Sequence, residues 1–278
     1  MATTKTAASP KKKQGFQGIK AAFWIIVVCF IIAVADFRFF LGASSHFVGG
    51  DREAEVLNGN IFGTIYKGGV IVPIIHTLLL TVIALSIERA LALKTAFGKG
   101  SLAKFVANIK AALNAQDFAK AQKLCDDMQG SVANVVQASL DAYKKVQDVA
   151  GMKKAQKVSK IQQAHEEATQ LEMPTLTMNL PIVASIVTLG TLTGLLGTVI
   201  GMIKSFAALA AGGGGDSLQL SMGISEALIN TAFGIGTSWC AVISYNYYTN
   251  KIDKLTYALD EVGYSIAQTY EANHEDEA

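Results

Sequence analysis

The stretch Leu218-Gln-Leu-Ser-Met-Gly-Ile-Ser-Glu-Ala-Leu-Ile-Asn-Thr-Ala-Phe-Gly-Ile-Gly-Thr-Ser-Trp-Cys-Ala-Val-Ile-Ser-Tyr-Asn-Tyr-Tyr248 is a run of apolar and small residues with one acidic residue well inside it, Glu226. About 20 helical residues cross the ~30 Å of bilayer hydrocarbon, so the run reads as a membrane span. A charge inside a span costs roughly 2.5–3.5 kcal/mol on insertion scales and is kept mainly where it faces a protein interior or a wet pathway. Burial of a carboxyl also favours its neutral form, which lets such a group take up and release protons as its surroundings change. Glu226 is therefore a candidate proton carrier.

The rest of the chain fits the same class. Of its 278 residues 51% are hydrophobic and only 17% charged, with a mean hydropathy of +0.34. Soluble domains carry about 25% charged residues. Three more segments are apolar and long enough to span: 21–41, 69–93 and 176–211, with Pro73 and Pro181 near the starts of the last two, where a missing backbone donor does least harm. At 1.5 Å per residue the 176–211 helix reaches ~50 Å and would project beyond a bilayer. The expected fold is an all-α polytopic membrane protein with four transmembrane helices, the last three extended, and a helical cytoplasmic region.

Lysine and arginine set the expected orientation. The 1–20 tail holds Lys5, Lys11, Lys12, Lys13 and Lys20, the 94–175 segment holds twelve lysines, and Lys251 and Lys254 follow the last span. The 42–68 loop has only Arg52 and Lys67, and the Gly-rich 212–217 loop has neither. Both termini and the 94–175 region are thus expected in the cytoplasm, with 42–68 and 212–217 on the outer side. The 249–278 segment is expected as a cytoplasmic helix with a frayed acidic tail from Glu271 to Glu277. Within 94–175, Phe105, Ile109, Ala112 and Leu113 repeat as the buried stripe of an amphipathic helix. That region is read as a solvated helical bundle, or as a docking surface for a cytoplasmic partner. The N-terminus also has two readings. A basic n-region, an apolar run and Ala33-Val34-Ala35 suit a cleaved signal peptide; the run resumes through Phe37, Phe39, Phe40 and Leu41, which favours a retained anchor helix.

Cys29, Cys125 and Cys240 supply no full set of disulfides, and the chain has no CxxC, HExxH or His/Cys ligand cluster. No metal, cofactor or nucleic-acid partner is expected. No pattern places a nucleophile beside a base, so an enzyme is not expected either.

Two spans carry the polar chemistry. In 176–211, Gly190, Gly194, Gly197 and Gly201 form two small-xxx-small units on one helix face, which lets helices approach closely in lipid. They lie inside an apolar helix with no following Lys-Ser/Thr, which excludes a phosphate loop. Replacing Gly194 or Gly197 by leucine is expected to disrupt oligomerisation. Beside the glycines run Thr191, Thr198 and Ser205, with Thr188 one turn before Thr191. Such hydroxyls either bond their own helix carbonyls or form a column that relays protons. In 218–248, Glu226 shares a stripe with Asn230, Thr237 and Ser244, while Thr231 lies about 140° round the helix from Glu226. Asp36 and Arg38 are read as reaching the interface, Lys204 as snorkelling outward, His76 as making a structural hydrogen bond, and Glu88-Arg89 as marking the inner end of the second span.

The run Leu180-Pro181 through Gly194-Leu-Leu-Gly-Thr-Val-Ile-Gly-Met202, then Gly223-Ile-Ser-Glu-Ala-Leu-Ile-Asn-Thr-Ala232, with Tyr245-Asn-Tyr-Tyr and Glu88-Arg89, resembles the MotA/TolQ/ExbB proton-channel family. The resemblance covers roughly 69–93 and 176–254; the first span and the 42–68 loop are extra. It implies a motor subunit forming a homopentameric ring around a single-span ExbD/TolR-like partner, whose intramembrane aspartate takes protons. An ExbB-like member would drive a TonB-like protein in TonB-dependent transport; a TolQ- or MotA-like role is the alternative. The family glutamate falls on Glu226 and its lining threonine on Thr231. The other lining threonine falls on Leu189, where Thr188 or Thr191 is expected to substitute and Asn230 to compensate. Beside the motor stand a proton-coupled secondary transporter, which usually needs more spans and internal repeats, and a structural scaffold with Glu226 paired to a fixed cation.

Overall fold

The computed structural model describes residues 18–19, 22–52, 54–211 and 217–275. Lys5, Lys11, Lys12, Lys13, Lys20, the 212–216 loop and Glu277 lie outside the described residues. The protein is all-α among the described residues: α1 (Ala22–Ala35), continued by a π-helical segment Asp36–Leu41, then α2 (Ile61–Tyr66), α3 (Ile71–Ala96), α4 (Leu102–Asn114), α5 (Phe118–Met128), α6 (Gly130–Gln147), α7 (Lys154–Thr177), α8 (Leu180–Ala211) and α9 (Ser217–Asn273). Four helical stretches are long and apolar enough to cross a membrane: Ala22–Leu41, Ile71–Ala96, Leu180–Ala210 and Leu220–Asn273.

The chain divides into two compact units. One, Ile19–Arg89 with Asn179–Thr249, is the apolar unit. Its interior is Val82 and Leu85 of α3, Val183 and Ile186 of α8 and Ala241 of α9. Large apolar side chains also point outward, Trp24 at 65% exposure, Ile203 at 63% and Trp239 at 69%. An outward apolar surface of this extent belongs against lipid or another chain, since soluble monomers keep such patches small.

A buried ion pair ties three elements of this unit together. Arg89 is fully buried beside Glu88, donating from Nε to Oε2 at 2.7 Å and from a second nitrogen to Oε1. The same carboxylate accepts from the Ile19 backbone N–H at 2.9 Å and from Asn179 Nδ2 at 3.3 Å. The pair that sequence reading takes as a boundary marker is thus a fastening point between the approach to α1, α3 and the start of α8. Removing one partner of a buried pair costs about 3–5 kcal/mol. Arg89→Met is expected to destabilise by that order while Arg89→Lys recovers part of it, as read from thermal unfolding in detergent.

Some boundaries differ from the sequence reading. Leu176 and Thr177 end α7, and α8 begins only at Leu180. The break falls at Asn179, whose φ of 66° is left-handed, a conformation asparagine tolerates better than most residues; Pro181 then fits the first turn of the new helix. At the other end, the last span continues past 248 as the extended helix expected, α9 running unbroken through Asn273, while Glu271 is helical rather than frayed. Buried Ile266 and Tyr270 keep that last part packed.

The second unit comprises Ala90–Met178 and the residues from Asn250 onward, together with Gly18. Phe105, Ile109, Ala112 and Leu113 are the buried face of α4. Ile161 of α7 and Leu255, Leu259 and Ile266 of α9 are also buried, and Tyr143 meets Tyr270 edge-on at 4.8 Å. His165 of α7 is buried here, with Nδ1 2.9 Å from the Ser139 hydroxyl. Burial lowers its proton affinity from the usual value near 6.5, partly offset by the charges of Asp260 and Glu166. Below about pH 6.5 the unfolded chain takes up a proton that the folded chain resists, so this contribution to stability falls as pH drops. Protection of the α7 amides, corrected for intrinsic exchange, is expected to fall between pH 7.5 and 5.5, and His165→Gln to remove that part of the dependence.

Candidate functional site

The long apolar helices α8 and α9 pack through their small residues. A Cβ added at Gly201 would meet Ala227 Cβ at 2.9 Å, one at Gly190 would meet Ser238 Oγ at 2.6 Å, and one at Gly194 would meet Asn230 O at 3.0 Å. Gly197 faces the side chain of Asn230 still more tightly. The glycine face therefore lies against α9 of the same chain. The close helix packing read from the glycines is met within one chain, whose two backbones already need them.

Hydroxyls cross the α8–α9 contact at three levels. Thr191 Oγ1 donates to Ser238 Oγ at 2.9 Å, Thr198 and Thr231 share a short hydrogen bond, and Ser205 Oγ donates to Leu220 O at 3.3 Å. Three of these hydroxyls also reach a carbonyl of their own helix: Thr231 to Ala227 O at 3.1 Å, Thr198 to Gly194 O at 3.3 Å and Ser205 to Gly201 O at 3.1 Å. Thr188 is exposed, as is Leu189 at 47%. The hydroxyl that meets Thr231 is therefore Thr198, which the family spacing does not single out.

The stripe Glu226, Asn230, Thr237, Ser244 looks largely elsewhere. Ser244 Oγ lies 2.5 Å from Ser86 Oγ of α3, and Thr237 Oγ1 returns to Phe233 O at 2.9 Å. Asn230 is fully buried, and its Nδ2 donates to Gly68 O at 2.9 Å in the turn before α3, while its Oδ1 accepts from no protein group. Glu226 is not faced by the glycine and threonine wall. Its Oε1 accepts from Lys204 Nζ at 2.6 Å, the carboxylate side chain being 12% and the lysine 53% exposed. Lys204 thus does not simply snorkel outward. His76 Nδ1 lies 3.3 Å from Asp36 Oδ2.

The site that these contacts define is a polar seam in an apolar unit. One carboxylate, one fully buried amide and a series of hydroxyls lie within two helices and the turn that precedes a third. No group of three or more His, Cys, Asp or Glu residues is placed to hold a metal among the described residues.

The α8 and α9 residues of this seam fall in the part of the chain that known proteins share, while Gly68 and Ser86 lie outside it. The sequence model of the MotA/TolQ/ExbB proton channel family matches residues 129–261. That stretch of the chain is similar to the proteins of the MotA/TolQ/ExbB proton channel family. It is 37% identical over 81 residues to the biopolymer transport protein ExbB of Helicobacter pylori, covering 29% of this chain and 56% of that one. It is 33% identical over 87 residues to the biopolymer transport protein ExbB-like 3 of Synechocystis, covering 31% and 41%. It is 28% identical over 129 residues to the Tol-Pal system protein TolQ of Pseudomonas aeruginosa, covering 46% and 56%. The chain spans about half the length of the curated relatives it matches.

Sequence reading misses Lys204, Gly68 and Gly69 as parts of this seam. A signal for Lys204 was present. In an antiparallel hairpin, residues at nearly equal distances from the turn stand level, and Lys204 and Glu226 flank 212–216 in that way. For Gly68 and Gly69 no such signal exists, because the preceding loop has no periodicity to register it.

Proposed function

We propose that this chain is the channel subunit of a proton-driven inner-membrane motor, ExbB-like in using the proton motive force to energise TonB-dependent transport across the outer membrane. It would act as a ring of copies, a pentamer by the resemblance, around a single-span ExbD/TolR-like partner bearing an intramembrane aspartate, with both termini cytoplasmic. The observation that carries this reading is the seam: a nearly buried carboxylate on the same helix as a threonine that meets a facing threonine. Each proton crossing ~100 mV releases about 2.3 kcal/mol, so several could drive one mechanical step. Glu226 would serve as an exchangeable carboxylate on the path, with Thr231, Thr198 and Thr191 as hydroxyls able both to donate and to accept, and Asn230 fixing the path's wall.

A TolQ-like role in the Tol-Pal system is the second reading, favoured by the longer stretch shared with the Pseudomonas protein. A structural scaffold is favoured by one contact, the Lys204–Glu226 pair. The pair is half solvated on the lysine side, which leaves it free to exchange, whereas a fixed scaffold pair is better served by full burial like that of Glu88–Arg89. Co-purification with a single-span partner encoded nearby, followed by proton flux in liposomes with and without that partner, tests the motor against the scaffold.

A further inference from the structure

The turn that leads into α3 lies directly on the Glu226 carboxylate. Gly69 adopts φ +72, and a Cβ there would sit 2.6 Å from Glu226 Oε1 and 3.8 Å from Lys204 Nζ. One residue earlier, Gly68 O accepts the Asn230 amide at 2.9 Å, which fastens the turn to α9. The turn is also held from its other side. Tyr66 stacks on Phe37 with ring centroids 4.7 Å apart and meets Phe47 edge-on at 5.4 Å. Phe37 belongs to the π-helical continuation of α1 and Phe47, nearly fully buried, to the loop after it. Both come from the part of the chain that lies outside the stretch matched by the family.

We propose that the Tyr66–Gly69 turn is a strap over the channel carboxylate and Lys204 its latch, together holding Glu226 in a closed, ion-paired state. The physical case is geometric. The ammonium occupies the oxygen that a water-borne proton would otherwise approach, and the strap covers the same oxygen with backbone, where only glycine leaves room. The first helix and its loop anchor the strap through Tyr66, so a displacement of that segment on the outer side is transmitted to Glu226. Latch and strap each add to the barrier to opening, so loss of either one raises the leak, which suits a channel that must stay closed when its partner is absent. This proposal rests on the proton-channel reading of the same site.

The test is passive proton flux through the full chain reconstituted alone in liposomes, with native mass and thermal unfolding as controls for folding. Lys204→Met removes the latch, and Tyr66→Ala loosens the strap without altering charge. Each is expected to raise flux several-fold over the wild type, Lys204→Arg to stay at the wild-type level, and Glu226→Gln added to either leaky variant to return it to background. Flux at the wild-type level in both Lys204→Met and Tyr66→Ala would overturn the strap, as would a leak that survives Glu226→Gln. The wider reading is judged separately, by flux with the partner present. If Glu226→Gln abolishes partner-dependent flux while the latch variants do not leak, the strap alone falls; if partner-dependent flux persists in Glu226→Gln, the channel reading falls.

Discussion

Replacing Glu226 by glutamine is expected to abolish coupled function, siderophore-type uptake falling to the level of a strain without the chain, while the assembled complex survives. The substitution keeps the side chain's shape. Its carbonyl oxygen can still accept from Lys204 Nζ, which now sits 2.6 Å from Oε1, so the contact between these stretches of α8 and α9 is weakened rather than removed. What is lost is the ability to gain and lose a proton in the pathway. A hydrogen bond to a charged group is worth about 1.5–3 kcal/mol, which bounds the stability lost, whereas the proposed transport depends on exchange and is expected to be lost altogether. Normal complex on native mass analysis with absent uptake is the expected pair of results. Normal uptake in this variant would remove Glu226 from the mechanism.

The second large effect is on folding. Gly197→Leu is expected to leave little folded protein, because a Cβ at that position would approach Asn230 Cγ to 2.8 Å and its Nδ2 to 2.9 Å before the rest of the side chain is added. Relief requires α8 and α9 to separate, which strains the Asn230–Gly68 and Thr198–Thr231 hydrogen bonds together. Overpacking a fitted core costs about 1–3 kcal/mol where side chains can adjust. Here the obstacle is the Asn230 side chain, fully buried and tied to Gly68 O, and membrane helices depend on close approach for much of their association, so the cost lies at or above that range. Gly236 is the control: nothing stands within 4 Å of a Cβ there, and Gly236→Ala should behave as wild type. Thermal unfolding and size-exclusion profiles in detergent distinguish the two, and a wild-type melting profile for Gly197→Leu would contradict the packing.

Much of this architecture was legible because membrane spans announce themselves. Four long apolar runs, one intramembrane glutamate and a seven-residue glycine repeat decide the class and point to α8 and α9 as the working helices. Glycine repeats, however, say that a helix will be approached closely and not by which neighbour; the neighbour here is the next helix of the same chain. Register explains the hydroxyl pairs too. Thr191 with Ser238 and Thr198 with Thr231 stand nearly equidistant from the hairpin connection, as Lys204 and Glu226 do. The lysine was misread because a long flexible side chain near a helix end can reach water or a neighbour with equal ease, and sequence alone does not rank the two. The helix break at Asn179 depends on a single left-handed residue followed by a proline, a local signal that an apolar run from Leu176 onward overrides when hydropathy is read in windows. Least legible was the 42–68 loop. Its aromatic contacts join Phe37, Phe47 and Tyr66 across turns with no repeating pattern, yet it places Gly68 and Gly69 on the polar seam.

The proposed function requires that protons pass this chain by way of Glu226 when a single-span partner is bound. Its most direct test is proton flux into liposomes carrying the purified complex, driven by a potassium diffusion potential and read with an internal pH dye, for the wild type and for Glu226→Gln. The expected result is flux that requires the partner and vanishes in Glu226→Gln with the complex intact; equal flux in the two proteins would contradict it.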